Sequence, residues 1–165
     1  MKTLRAVKIR LLQVAALFLP GGSNLRLRLH RWRGVDIGQG VFISTDVIIE
    51  TMHPELVSIG NDVFLGARSM IIAHFNDVTP TLLARGTVSV RVEDQAWVGP
   101  GAIILPGVTI GRGAVVTAGS VVSGNVQEMT LVQGNPARPV ARCGVPLGPN
   151  ASAVEFYRNL KPIRA

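Results

Sequence analysis

The chain has 165 residues, 47% of them apolar and only 5% aromatic, and a net charge of +7. That length fits one domain with a continuous core, which excludes disorder, and the abundance of Val, Ile, Gly and Ala suits thin repetitive layers rather than a bulky centre. A lone Cys143 excludes an internal disulfide, and no Cys/His cluster has zinc-site spacing, so a cytoplasmic protein that needs no metal is expected.

The charge is unevenly placed. Lys2, Arg5, Lys8, Arg10, Arg26, Arg28, Arg31 and Arg33 precede Gly34 with no acid among them. The stretch from Val35 to Pro136 is net acidic, and Arg138, Arg142, Arg158, Lys161 and Arg164 make the tail basic again. No interleaved aromatic platform accompanies these cations, which argues against nucleic acid. Two separate basic ends point instead to a membrane surface or a phosphorylated ligand.

In chain order, Leu4, Val7, Leu11, Val14 and Phe18 follow helical spacing and predict a helix over 2–19, stopped by Pro20-Gly21-Gly22. The apolar run from Leu11 to Leu19 is far shorter than the roughly 20 residues a membrane span needs. No small-residue cleavage site follows it, so neither a span nor a signal peptide is expected. From Ser23 to Arg33, Leu25, Leu27 and Leu29 alternate as in a strand, whereas Leu25, Leu29 and Trp32 make a helical stripe. The helix is the preferred reading. Residues 1–34 are thus expected to form a helical cap, with His30 solvated in it and peripheral contact with the inner face of a membrane as a secondary role.

A repeat dominates the middle. Stepping by six from Val92 gives Val98, Ile104, Ile110, Val116 and Val122, all aliphatic and β-branched. Four residues after each lie Ala96, Ala102, Val108, Ala114, Ser120 and Val126, small or β-branched, with Gly99, Gly111 and Gly119 near the turns. Ile37 and Ile43, then Ile59, Leu65 and Ile71, keep the same step earlier. A period of six suits neither a helix nor an alternating strand. It suits short strands around a three-sided coil whose layers stack at about 4.8 Å, each layer burying its aliphatics against the next.

Two interruptions break the register. A small one surrounds Thr51-Met52-His53-Pro54; a larger one runs from about Asn76 to Thr87 and leaves the coil directly after His74. Function concentrates where a regular solenoid throws out a loop, which makes His74 the candidate catalytic residue. His53 reads as a turn or interface residue. Beyond the coil, residues 143–165 read as a tail, with Ser152 and Glu155 as the capping box of a short helix ending near Pro162.

These hexads resemble the hexapeptide-repeat acyltransferases, in particular the galactoside and maltose O-acetyltransferase branch. The stretch AWVGPGAIILPGVTIGRGAVVTAGSVV, followed by VQGNPARPV, carries the likeness, which extends over Gly34 to Arg142. The segment before it and the tail after Cys143 differ from the sugar acetyltransferases. The resemblance implies a mainly β fold, a single-stranded left-handed parallel β-helix over 35–142, between the N-terminal helical cap and the short C-terminal helix that residue spacing predicts. It further implies a homotrimer with active sites in grooves between copies, and acetyl-CoA, or another acyl-CoA, as co-substrate. His74 occupies the place of the family's base. Ala118 matches a residue whose backbone meets the pantetheine arm, Ser123 a position that is Thr in the sugar acetyltransferases, Arg138 a phosphate-binding arginine, and Trp97 a tryptophan beside the groove. Two departures stand out: Gly124 replaces a frequent Lys or Arg, and Ala141 aligns with a second arginine, with Arg142 one residue along.

Acyl transfer from a thioester requires a hydroxyl that loses its proton as it attacks, and imidazole suits that role. No covalent enzyme intermediate is needed, and a backbone N–H of a neighbouring coil or subunit would meet the oxyanion. Asp77, Glu50, Glu93 or a main-chain carbonyl could orient His74. The expected acceptor is a hydroxyl of a sugar or saccharide intermediate. Two other readings compete: a non-catalytic β-helix for binding or assembly, and a γ-carbonic-anhydrase-like metalloenzyme. The latter needs three convergent histidines, for which His30, His53 and His74 are wrongly spaced.

Overall fold

The computed structural model describes residues 2–19, 22–74, 88–148 and 152–163. Each coil contributes one short strand to each of three sides. The first holds β1 (Asp36–Ile37), β2 (Phe42–Ile43) and β3 (Ile48–Ile49); the second holds β4 (Val57–Ile59), β5 (Phe64–Leu65) and β6 (Met70–Ile71). The third holds β7 (Val90–Val92), β8 (Trp97–Val98) and β9 (Ile103–Ile104), and the fourth β10 (Thr109–Ile110), β11 (Val115–Val116) and β12 (Val121–Val122). Every third strand pairs in parallel, so the sheets run β1-β4-β7-β10, β2-β5-β8-β11 and β3-β6-β9-β12.

The register places the hexad aliphatics in three columns. Ile37, Ile59, Val92 and Ile110 form one, Ile43, Leu65, Val98 and Val116 another, and Ile49, Ile71, Ile104 and Val122 the third. All twelve are buried in one cluster together with Ala96, Ala102, Val108 and Ala114. Each such aliphatic contributes roughly 1.5–3 kcal/mol by leaving water, and only a neighbouring layer can supply the burial.

After the fourth coil the pattern changes. β13 (Thr130–Gly134) adds in parallel to β11, then β14 (Ala137–Cys143) folds back antiparallel on it. The N-cap half of the expected capping box forms: Ser152 Oγ accepts from the Glu155 N–H at 3.0 Å and starts α3 (Ala153–Arg158). That helix does not run on to Pro162. The open edge of β14 captures the following residues as β15 (Leu160–Pro162), antiparallel to it. Cys143 packs with Val115 and Phe156, and burial pushes its thiol up to about 11.

At the other end lie α1 (Lys2–Phe18) and α2 (Gly22–Arg33), so the helix wins over the strand for the second segment. α2 sends Leu27 into the core and three arginines to the first coil, one for each sheet. Arg31 donates to the Ile37 oxygen at 2.9 Å and to Gly38; Arg26 donates to the Ile43 oxygen at 2.9 Å; Arg33 donates to the oxygens of Ile49 and, at 2.9 Å, Glu50. Main-chain carbonyls at the end of a solenoid need donors, and these side chains supply them. The expectation of a surface or phosphate role therefore fails for Arg26 and Arg33, which are buried.

His30 is also corrected. It is completely buried, and among the described residues neither ring nitrogen has a hydrogen-bond partner. Burial, with Arg33 and Arg26 adding to it, lowers its pKa to about 3. On α1, Ile9, Gln13 and Ala16 face inward, while the apolar stripe from Leu4 to Phe18 faces out.

Candidate active site

The two interruptions of the hexad register fall on the same corner of the coil. The smaller follows β3 and the larger follows β6, each after the third side of its coil. Glu50 and Ile72 are consequently in register, the Glu50 N–H donating to the Ile71 oxygen at 2.8 Å. This stacking brings together two residues 24 positions apart. The His74 Nδ1 lies 2.6 Å from each oxygen of the Glu50 carboxylate. Of the orienting partners considered, Glu50 is the one that meets His74 among the described residues.

The carboxylate is itself held. The Met52 and His53 amides donate to Oε1 at 2.8 and 3.1 Å, and the Ala73 amide to Oε2 at 2.8 Å. Glu50 is 2% exposed. Burial pushes its pKa up, but the bonds from His74 and from the Met52, Ala73 and His53 amides outweigh it and hold the pKa down at about 2. An ionised carboxylate only accepts, so Nδ1 carries the proton of this bond, and in the neutral form of the ring the lone pair lies on Nε2. The His74 side chain is 24% exposed, within reach of a substrate. The small interruption also sets the His53 ring edge-on to His74, with centroids 6.1 Å apart.

The remaining expected residues form two further groups. Ser123, Arg138 and Arg142 converge on one hollow of about 460 Å³ beyond the fourth coil, between β12 and the β13–β14 hairpin. Arg142 is already engaged there, donating to Thr130 Oγ1 and Gln127 Oε1, both at 2.7 Å. Arg138 is exposed, and its guanidinium donates to the Ala137 oxygen at 3.3 Å. Trp97 lies on the sheet that β13 and β14 extend, stacked on Phe64 at 3.7 Å, with Phe42 beyond at 5.2 Å. With Arg31 these rings line a separate cavity of about 710 Å³, which His74 does not border. Ala118 is exposed at the turn between β11 and β12. One chain thus keeps His74 and Trp97 on different sides of the coil. Asp77 and the expected loop from Asn76 to Thr87 lie outside the described residues. Glu93 belongs to another corner, where it accepts from the Arg112 amide at 3.0 Å.

Sequence reasoning did not single out Glu50. Its signal was present: counting sides from Ile37 through Ile43 puts both breaks after a third side, hence on one edge.

Residues 89–124 match the family described as bacterial transferase hexapeptide (six repeats), and residues 56–72 match the hexapeptide repeat of succinyl-transferase. The chain is a hexapeptide-repeat protein. Its likeness extends to the acyltransferases of that family. It is 30% identical over 107 residues to a galactoside O-acetyltransferase of Lactococcus lactis, covering 63% of this chain and 51% of that protein. It is 27% identical over 137 residues to a putative lipopolysaccharide biosynthesis O-acetyl transferase of Escherichia coli, covering 73% and 67%. The chain spans about half the length of the first curated relatives it matches. A hexapeptide-repeat acetyltransferase from Vibrio cholerae shares the fold, with a TM-score of 0.70 and 23% identity, over 86% of this chain and 92% of the other.

Proposed function

We propose that this hexapeptide-repeat protein transfers an acyl group, most simply acetyl, from acyl-CoA to a hydroxyl of a sugar or saccharide intermediate, with His74 as general base. The observation that carries the proposal is the Glu50–His74 pair at 2.6 Å, on the corner where the chain leaves its coil. With Nδ1–H committed to Glu50, Nε2 takes the acceptor's proton as its oxygen attacks the thioester carbonyl. The tetrahedral intermediate collapses, the C–S bond breaks, and the imidazolium returns the proton to the CoA thiolate. No group on the protein is acylated. The curated relatives that transfer acetyl to galactosides and, by name, in lipopolysaccharide biosynthesis favour a saccharide acceptor.

In this reading the coil is left-handed and three copies associate, so that His74 of one copy faces the Trp97 side of the next. The separation of His74 and Trp97 within a single chain supports that arrangement. Arg138 and Ser123 would meet CoA, its phosphates at the exposed guanidinium, with Ala118 along the pantetheine arm. Arg142 would join them only by sharing donors it now gives to Thr130 and Gln127.

The test is acceptor-dependent release of CoA thiol from acetyl-CoA across a panel of mono- and oligosaccharides. The wild type should turn over, and His74→Ala should slow transfer by about 10²-fold or more with CoA binding retained. Equal rates in the two proteins would reject His74 as base. Failure of CoA to bind by calorimetry would leave a non-catalytic β-helix instead.

A further inference from the structure

The outward stripe of α1 has no partner among the described residues. Leu4, Val7, Leu11, Val14 and Phe18 are 76, 50, 65, 52 and 79% exposed, on the side of the helix opposite Ile9, Gln13 and Ala16. At 100° per residue, Lys8 and Arg10 flank the stripe on its two sides, and both are exposed. Five large apolar side chains in one exposed row are unlike the single exposed apolars of an ordinary surface.

The charge decides what can cover that row. The spacing of three and four residues is also that of a helix–helix seam, so a second copy of α1 is a candidate. Yet residues 1–35 contain no acid, and Lys8 and Arg10 occupy the positions that would border such a seam. Two copies would set cation against cation with nothing between them. An anionic lipid surface meets both features at once: the row enters the acyl boundary while the flanking cations reach the head groups. Among the described residues no helix is long and apolar enough to cross a membrane, so α1 would lie on the surface and not span it.

We infer that α1 is an interfacial helix that docks the protein on anionic membrane through the Leu4–Val7–Leu11–Val14–Phe18 face. The coil would then stand away from the membrane, because α2 lies between α1 and the first coil, with Arg26 bonding both the Ala16 oxygen of α1 and the Ile43 oxygen of β2. This inference is independent of the acyltransfer proposal.

The test is flotation of the full chain with unilamellar vesicles of phosphatidylcholine alone and of phosphatidylcholine with one-quarter phosphatidylglycerol. The expected result is binding to the anionic vesicles, at least tenfold weaker to the zwitterionic ones, and strongly reduced in 0.5 M NaCl. Leu11→Asp with Phe18→Asp should abolish binding, and Lys8→Glu with Arg10→Glu should weaken it at least tenfold. Thermal melting should be unchanged in both variants, since the four side chains are exposed. The inference is overturned if the wild type does not float, or if the Leu11→Asp, Phe18→Asp protein floats as well as wild type. A wild type that ignores vesicles while the same pair of substitutions lowers the solution mass would assign the face to contacts between copies.

Discussion

Arg33 and Glu50 meet through the main chain: the guanidinium donates to the Glu50 carbonyl at 2.9 Å, while the Glu50 carboxylate holds the His74 ring. The residue that ends the first turn of the third sheet therefore also orients the candidate base. Burial lowers the Arg33 pKa to about 10, with the Glu50 charge opposing the fall. The arginine stays cationic at neutral pH, so the end cap and the corner that holds His74 are electrostatically linked.

Glu50→Gln should damage transfer without unfolding the site's surroundings. Glu50 takes donors on both oxygens, so an amide nitrogen in place of one oxygen must face another N–H. His74 then loses its fixed tautomer. The expected outcome is a fall in kcat of about 10²-fold with KM for acetyl-CoA nearly unchanged, measured by steady-state kinetics. A KM effect alone would point to a binding role.

Arg33→Met should destabilise the whole coil. It strips donors from the Ile49 and Glu50 oxygens and from Gln13 in a buried setting. A loss of about 3 kcal/mol is expected, seen as a lower urea midpoint with an unchanged slope. Arg28→Met, at an exposed position of the same helix, should stay within about 0.5 kcal/mol.

The acid limb of stability should show two windows. His30 titrates near 6.5 when unfolded but near 3 when folded, so its contribution is full above pH 6.5 and is lost as pH falls toward 3. Glu50 moves from 4.5 to about 2, so its contribution is full above pH 4.5 and is lost as pH falls toward 2. His30→Leu should flatten the upper window, removing a slope of about 1.4 kcal/mol per pH unit, and Glu50→Gln the lower one. Urea unfolding from pH 7 to 4 checks the first; an unaltered slope in His30→Leu would contradict it.

Gly99→Ala should force two coils apart. A Cβ there would stand 2.6 Å from the Ala118 nitrogen and 2.8 Å from the Val116 oxygen, backbone atoms that cannot swing away. The expected cost is about 1–3 kcal/mol, with weaker CoA binding because Ala118 must shift. Gly124→Ala, with nothing within 4 Å of the added carbon, serves as the near-neutral control in both calorimetric and thermal measurements.

The three-sided coil was legible from the chain alone because its signal is local and repeated: every sixth residue from Val92 to Val122 must be aliphatic if each layer is to bury it, and each is buried. The helix at Ser152 was equally readable, since its cap bonds a residue three positions on. Helical spacing located the α1 stripe too, but not its direction, because periodicity names a face and not what that face meets.

Contacts between distant positions required the folded chain. Glu50 and His74 become neighbours only once one layer is laid on another: counting sides names the edge that both breaks share, but not which side chains meet there. Likewise a run of cations suggests solvent or phosphate until the end of the solenoid presents its unpaired oxygens, at which point Arg26, Arg31 and Arg33 have a nearer use. Short-range order follows from residue type and period. Pairing across layers follows from closure of the coil, which no local rule contains.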